Sequence, residues 1–126
     1  MIIFVDSDVI ISSLISRSGA SYYLLHTKDI ALFISNVSLK ELQTVVKNLH
    51  ISQRSLNVIV KERLKTVTVR ETLAEIKDKY KEYAHDIDDA HIVVGAKASH
   101  ARFLISYNIK DFKINKIKND FNIIVM

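Results

Sequence analysis

The feature that most constrains this chain is a set of short runs that are apolar almost throughout: Ile2–Val5, Ala31–Ser35, and residues 101–106 and 121–125. A strand with one wet face shows polar residues at every second position, whereas a strand covered on both faces has no need to alternate. Between these runs, apolar residues recur at helical spacing, as in Leu39, Leu42, Val45, Val46 and Leu49, then Leu56, Ile59, Val60 and Leu64, then Leu73, Ile76 and Tyr80. The pattern predicts strands interleaved with helices, in the order β-α-β-α-α-(β)-α-α-β-β. Helices are expected at Ala20–His26, at about 39–49 behind a Ser38 cap, after a Ser52 cap, and over 71–83 and 89–99. A weak strand is expected at 66–69, a loop with one turn at 108–113, and a last strand at 121–125. Such an order implies an α/β fold with a mostly parallel sheet covered by helices on both sides.

With 126 residues, residues 1–126 are expected to form one domain. There is no cysteine, so disulfides, thiolate metal sites and cysteine nucleophiles are excluded. The absence of proline and the presence of only two glycines, Gly19 and Gly95, also remove the glycine-rich phosphate loops of dinucleotide enzymes and P-loop NTPases. Turns must then rely on Asn, Asp, Ser and His. No stretch reads as a leader or a membrane span, and a cytoplasmic location is the expectation.

Acidic residues stand where strands end and helices begin: Asp6 after the first run, Glu41 in Ser38-Leu39-Lys40-Glu41-Leu42, and Asp89 in Asp86-Ile87-Asp88-Asp89-Ala90-His91. In parallel sheets ligands gather beyond the carboxyl ends of the strands, where Asp6 and Asn108 are expected. Carboxylates gathered from distant segments suit a hard divalent cation, Mg²⁺ or Mn²⁺, which takes oxygen ligands. Charge is distributed in a matching way. From Leu42 to Arg70 there are six basic residues against one acid, from Lys97 to Lys118 again six against one, and between them Glu71 to Asp89 holds seven acids and three lysines. Basic segments flanking an acidic cluster suit a nuclease that grips the phosphate backbone with lysine and arginine.

Each residue also has a plainer reading. Asp6 could cap a helix, and Glu41 could be the capping-box partner of Ser38. Ser7 either bonds Asp6 or a metal-bound water or caps the next segment, and Asp8 either supports the metal site from outside the ligands or, the preferred reading, forms an Asx turn. Asp86 and Asp88 read as helix-start charges, and His91 as a packing residue or a surface hydrogen bond. Tyr107 either stacks on a base or packs.

Four segments in order, Val5-Asp6-Ser7-Asp8-Val9-Ile10-Ile11-Ser12, Ser38-x-x-Glu41-Leu42, Asp86-x-x-Asp89-Ala90-His91 and Leu104-Ile105-Ser106-Tyr107-Asn108-x-Lys110-Asp111-Phe112, resemble the PIN-domain ribonucleases. VapC-type toxins are the most numerous branch of that family. The resemblance implies a PIN-like three-layer fold and metal-dependent hydrolysis of RNA phosphodiester bonds. It assigns Asp6, Glu41 and Asp89 to the metal and Asn108 to the fourth catalytic position, which is Asp in many members and Asn in others; Ser7, Asp86 and Asp111 are secondary candidates, Asp111 as a carboxylate that compensates for Asn108. Lys110 and Lys113 would hold RNA. A homodimer and a small antitoxin partner are implied for the toxin branch. A nuclease of RNA processing or decay, or a degenerate scaffold that only binds partners, is the alternative. The chain departs from the family's commoner residues in having Asp at position 8 and His100-Ala101 where a glycine usually precedes the penultimate strand.

Overall fold

The computed structural model describes residues 1–126 and contains a five-stranded, wholly parallel sheet. In chain order the elements are β1 (Ile2–Val5), α1 (Ser7–Ile15), α2 (Ala20–His26), β2 (Ala31–Ser35), α3 (Asn36–Asn48), α4 (Gln53–Arg63), β3 (Leu64–Val67), α5 (Leu73–Tyr80), α6 (Ala90–Ala98), β4 (Phe103–Ile105), α7 (Ile114–Phe121) and β5 (Ile124–Val125). The strands lie in the order β3-β2-β1-β4-β5. The chain therefore moves outward in one direction from β1 through β2 to β3, and returns on the other side of β1 for β4 and β5. A crevice opens where the order reverses, between the carboxyl ends of β1 and β4.

β1 explains why its sequence does not alternate. Ile3 and Val5 point into a cluster with Val9, Ile10, Leu25, Leu42, Val46 and Leu56 from α1 to α4. Phe4 points the other way, into a cluster with Ile92, Val93, Ala96, Phe112 and Ile117. Both faces are dry, so the successive positions Ile3, Phe4 and Val5 are all buried and apolar. Each such side chain contributes roughly 1.5–3 kcal/mol relative to exposure.

α6 lies against this strand because of one glycine. A Cβ built on Gly95 would sit 2.5 Å from Phe4 Cζ and 2.7 Å from Phe4 Cε2, with the Ser35 Cβ at 3.3 Å. Only a residue without a side chain lets α6 come this near to β1 and β2. The close approach sets where Asp89, at the head of α6, can stand.

Several boundaries differ from those the sequence suggests. The spacing assigns no helix to residues 7–15 or 114–121, yet α1 and α7 are there; α1 buries Val9, Ile10 and Ser13, and α7 buries Ile117. α3 starts earlier than expected, with Ser35 rather than Ser38 as its cap, since the Ser35 Oγ accepts from the Ser38 N–H at 3.0 Å. Glu41 is thus not the partner of a capping box. The weak strand falls at Leu64–Val67, two residues early. Turns do use the expected residues: Asp29, His50, His100 and Asn122 have positive φ. His100, with φ 58°, takes the left-handed turn after α6 where a glycine would be unstrained. No helix is long and apolar enough to cross a membrane.

Candidate metal centre at the strand switch point

The parallel ladder carries one residue past the strands: the Asp6 N–H donates to the Ile105 carbonyl at 2.9 Å, locking the end of β1 to the end of β4. Asp6 has extended backbone and caps α1. Its Oδ1 accepts from the Ser7 N–H at 2.7 Å, and its Oδ2 accepts from the Ser106 hydroxyl at 2.8 Å. Asp6 and Ser106 are 100 residues apart in the chain. The Ser106 oxygen also lies 3.4 Å from Asp8 Oδ2 and accepts from the Asn108 N–H at 3.0 Å. A hydroxyl has one proton, and the shorter distance gives it to Asp6.

Asp8 is more than an Asx-turn residue. Its Oδ2 accepts from the Tyr107 N–H and from Asn108 Nδ2, both at 3.1 Å. The ends of β1 and β4 are therefore joined through the side chains that follow them, Asp6 and Asp8 at the head of α1, Ser106 and Asn108 just past β4. Tyr107 itself reaches away from this cluster, its hydroxyl 2.5 Å from Ser21 Oγ while its ring stays exposed.

Burial is the main reason that the Asp6 carboxyl is pushed up from 3.8 to about 6, and the neighbouring Asp8 adds to it. The bonds from Ser106 and Ser7 oppose the rise, and Asp89 raises it further. Asp8 is raised too, chiefly by burial, against the bonds from Tyr107, Val9, Ser106 and Asn108. Asp89 is raised by burial first, then by Asp86 and Asp111. His91 lowers it, and Glu41 raises it slightly. Asp6 thus feels Asp8 and Asp89, and Asp89 feels Asp111 and Glu41, so that acids from four segments of the chain act on one another.

The two helices opposite the strand ends hold their acids differently. Asp89 caps α6 in name only, because its side chain makes no capping bond. Glu41, on α3, is half exposed and meets one partner, His91 Nε2, at 3.2 Å. His91 itself is buried in α6, with only 6% of its side chain exposed. The sequence assigns this histidine, two positions past Asp89, to packing or a surface bond; it does pack, and its bond reaches Glu41. Its Nδ1 is buried without a partner, so an Nε2-protonated ring donating to Glu41 is the tautomer that leaves no N–H stranded.

The supporting residues separate. The Ser7 N–H serves Asp6, and its hydroxyl is buried without a partner. Asp86 accepts from the Asp88 N–H at 3.0 Å, capping the short turn before α6. Asp88 pairs with Lys77 at 3.0 Å. Asp111 is brought near Asp89 by an antiparallel bridge between Ala84 and Phe112, with the His85 N–H donating to the Asp111 carbonyl at 2.8 Å. Lys110 and Lys113 are exposed and enter no ion pair. Arg63, by contrast, is spent on structure, donating to the carbonyls of Leu25 and Thr27 at the end of α2. The sequence reading missed Ser106. A small hydroxyl residue ending the strand next to that of Asp6 was the available signal, but it needed the pairing of β1 with β4.

These residues fit a divalent cation in kind. The donors are carboxylate oxygens, Asp8 Oδ1 is buried with no hydrogen-bond donor, and like charges burden Asp6 in a way a cation would reverse. They do not yet enclose one, since no three His, Asp or Glu side chains stand close enough together to hold an ion.

A family model described as PIN domain matches residues 3–110. The chain belongs to the PIN domain family. Among solved structures, this PIN domain is similar to the crystal structure of VapBC2 from Rickettsia felis bound to a DNA fragment from their promoter, with a TM-score of 0.70 and 21% identity over 100% of this chain and 98% of that one. It is also similar to a toxin–antitoxin complex from Klebsiella pneumoniae, with a TM-score of 0.63 and 22% identity over 87% and 89% of the two chains. At such identities the likeness is one of fold. Comparison with curated proteins gives no match.

Proposed function

We propose that this PIN domain is a Mg²⁺- or Mn²⁺-dependent endoribonuclease and the toxin of a toxin–antitoxin pair. The observation that carries the nuclease reading is Asp6. A partly buried carboxylate stands at the switch point, pushed up to about 6, with Asp8 and, more weakly, Asp89 as its charged neighbours rather than arginine or lysine. An arrangement of that kind costs stability unless a cation offsets it.

In this reading Asp6, Glu41 and Asp89 hold the ion and Asn108 stands beside it. The ion, when bound, acidifies the attacking water and offsets charge on the phosphate. The protein supplies the rest. Ser106 and the Ser7 N–H fix the Asp6 carboxylate, His91 aims Glu41, and Asn108 offers an amide at the end of β4. Lys110 lies two residues beyond Asn108 on an exposed turn, and with Lys113 it guides the RNA backbone toward the acids. No side-chain nucleophile is required.

The toxin assignment is supported by likeness to two toxin–antitoxin structures along nearly their whole length. In this reading a small antitoxin covers the acidic crevice, the toxin forms a homodimer, and both work in the cytoplasm. A second reading has one observation in its favour: because no three acidic or histidine side chains are gathered as they stand, the chain could be a non-catalytic scaffold. Cleavage of single-stranded RNA with Mn²⁺ and with chelator separates the two. The nuclease reading expects cleavage with Mn²⁺ only, and its loss in Asp6→Asn and Asp89→Asn proteins that remain folded. Equal cleavage by wild type and both variants, or none by the wild type, refutes it.

A further inference from the structure

Away from the acids, a cavity of about 400 Å³ opens between the last turn of α1, α2 and the first turns of α4. Its wall on α1 begins at Ser13, about 10 Å from Asp6 by the rise of the helix. Arg17, Tyr22, His26 and Arg54 line it, and no carboxylate does. The rings of Tyr22 and His26 are stacked, with centroids 4.0 Å apart and planes at 26°. His26 Nδ1 donates to the Tyr22 carbonyl at 2.8 Å, which fixes the ring and leaves Nε2 without a partner.

Charge is concentrated on this side of the molecule. Residues 9–70 hold nine basic residues against three acids, whereas the rest of the chain holds nine against eleven. Arg17 and Arg54 are exposed and enter no ion pair. Solvated surface arginines need no explanation one at a time, but these two come from separate elements and line one cavity. Like charges that converge without a carboxylate between them favour an anion there. The planar fork of a guanidinium matches a phosphate in particular. The stacked rings add a flat π surface on which any base can lie, and cations beside an aromatic platform are what single-stranded nucleic acid binds. An acidic peptide would satisfy the arginines alone and has no equivalent use for the stack.

We infer that this cavity is a second RNA-binding site, remote from the acids, in which Arg17 and Arg54 hold phosphate of a single-stranded segment and a base lies against the Tyr22–His26 stack. Its work is to hold RNA beyond the bond to be cut, so that a longer strand is gripped at two places. RNA as the ligand rests on the nuclease reading above, but the site itself requires no metal.

The test uses the full chain in chelator, where no metal-dependent cleavage occurs, and a labelled single-stranded RNA of about 16 nucleotides, with binding read by fluorescence anisotropy. Thermal melts establish that each variant is folded. Arg17→Gln with Arg54→Gln is expected to weaken binding about tenfold or more and to flatten the log–log salt slope by about 1.4, two phosphate contacts. His26→Ala, at an exposed position, is expected to weaken binding about fivefold with the slope nearly unchanged, because it removes stacking surface. Polyglutamate of matched charge should displace the RNA at least about tenfold less well than unlabelled RNA does. Wild-type affinity and slope in the folded arginine variant, polyglutamate that competes as well as RNA, or no RNA binding by the wild type overturns the inference. RNA binding that both variants weaken, in a protein that cleaves nothing with Mn²⁺, supports this site and refutes the nuclease reading. Mn²⁺-dependent cleavage with unaltered RNA binding in the variants does the reverse.

Discussion

The acids at the end of β1 and those facing them from α3 and α6 are held in opposite ways. Asp6 and Asp8 sit in a lattice of backbone and side-chain donors drawn from Ser7, Ser106, Tyr107 and Asn108. Glu41 has a single contact, with His91, and Asp89 makes no capping bond. The strand side is fixed because a parallel ladder sets the relative height of β1 and β4, pairing Val5 with Ile105. The helix side depends on how α3 and α6 pack. The two sides thus differ in how firmly their acids are tied, by a lattice of bonds on the strand side and by one contact or none on the helix side.

The largest effect expected from breaking this division is on activity. Asp6→Asn and Asp89→Asn should each lower Mn²⁺-dependent RNA cleavage by roughly 10²- to 10³-fold, the scale of losing one transition-state contact. If only Asp6→Asn is impaired, the helix side has no share in the chemistry.

Next comes the cost carried by the fixed side. In metal-free protein the Asp6 carboxyl lies at about 6, above its ordinary 3.8, so the native state binds the proton more tightly than the unfolded chain. Stability from this group is present below pH 4 and declines as pH rises to about 6, by up to about 3 kcal/mol. Melting curves in chelator across pH 4–7 should show that decline for wild type and a flatter profile for Asp6→Asn. Parallel profiles would place the Asp6 charge in an unburdened setting.

Gly95→Ala attacks the helix side without touching an acid. The added methyl meets the Phe4 ring, and the expected cost is about 1–3 kcal/mol in denaturant unfolding, with cleavage reduced because Asp89 moves with α6. An unchanged unfolding midpoint would mean that α6 does not depend on this contact.

The smallest effect lies outside both halves. Replacing Lys110 and Lys113 with Ala should flatten the log–log salt slope of RNA binding by roughly 0.7 per lost phosphate contact and leave Mn²⁺ affinity nearly unchanged. Coincident slopes would move the RNA path to other cations, of which Arg63 is already engaged by Leu25 and Thr27.

The same division marks what could be read from the sequence. Runs of apolar residues and acids at element boundaries are local patterns, and they led to the covered parallel sheet and to Asp6 and Asp89 as candidates, while the choice of Glu41 rested on the resemblance to PIN-domain ribonucleases. α1 escaped because Ser12 and Ser13 interrupt its apolar face, although Ser13 is buried and bonds back to the Ile10 carbonyl. α7 escaped because Ile114, Ile117 and Phe121 are embedded in lysines and asparagines and the helix is only two turns long. The lattice around Asp8 was out of reach for another reason. Its members lie about a hundred residues apart, and the register between β1 and β4 that brings them together leaves no mark in either segment alone.

The most direct test of a cation held by these acids is calorimetric titration of metal-free wild-type protein with Mn²⁺ at pH 5 and at pH 7.5. Holding the ion requires the Asp6 carboxylate, which at pH 5 is mostly protonated given its value of about 6. Affinity should therefore be about tenfold lower at pH 5 than at pH 7.5. Equal affinity at both values, or no binding at either, would contradict the account.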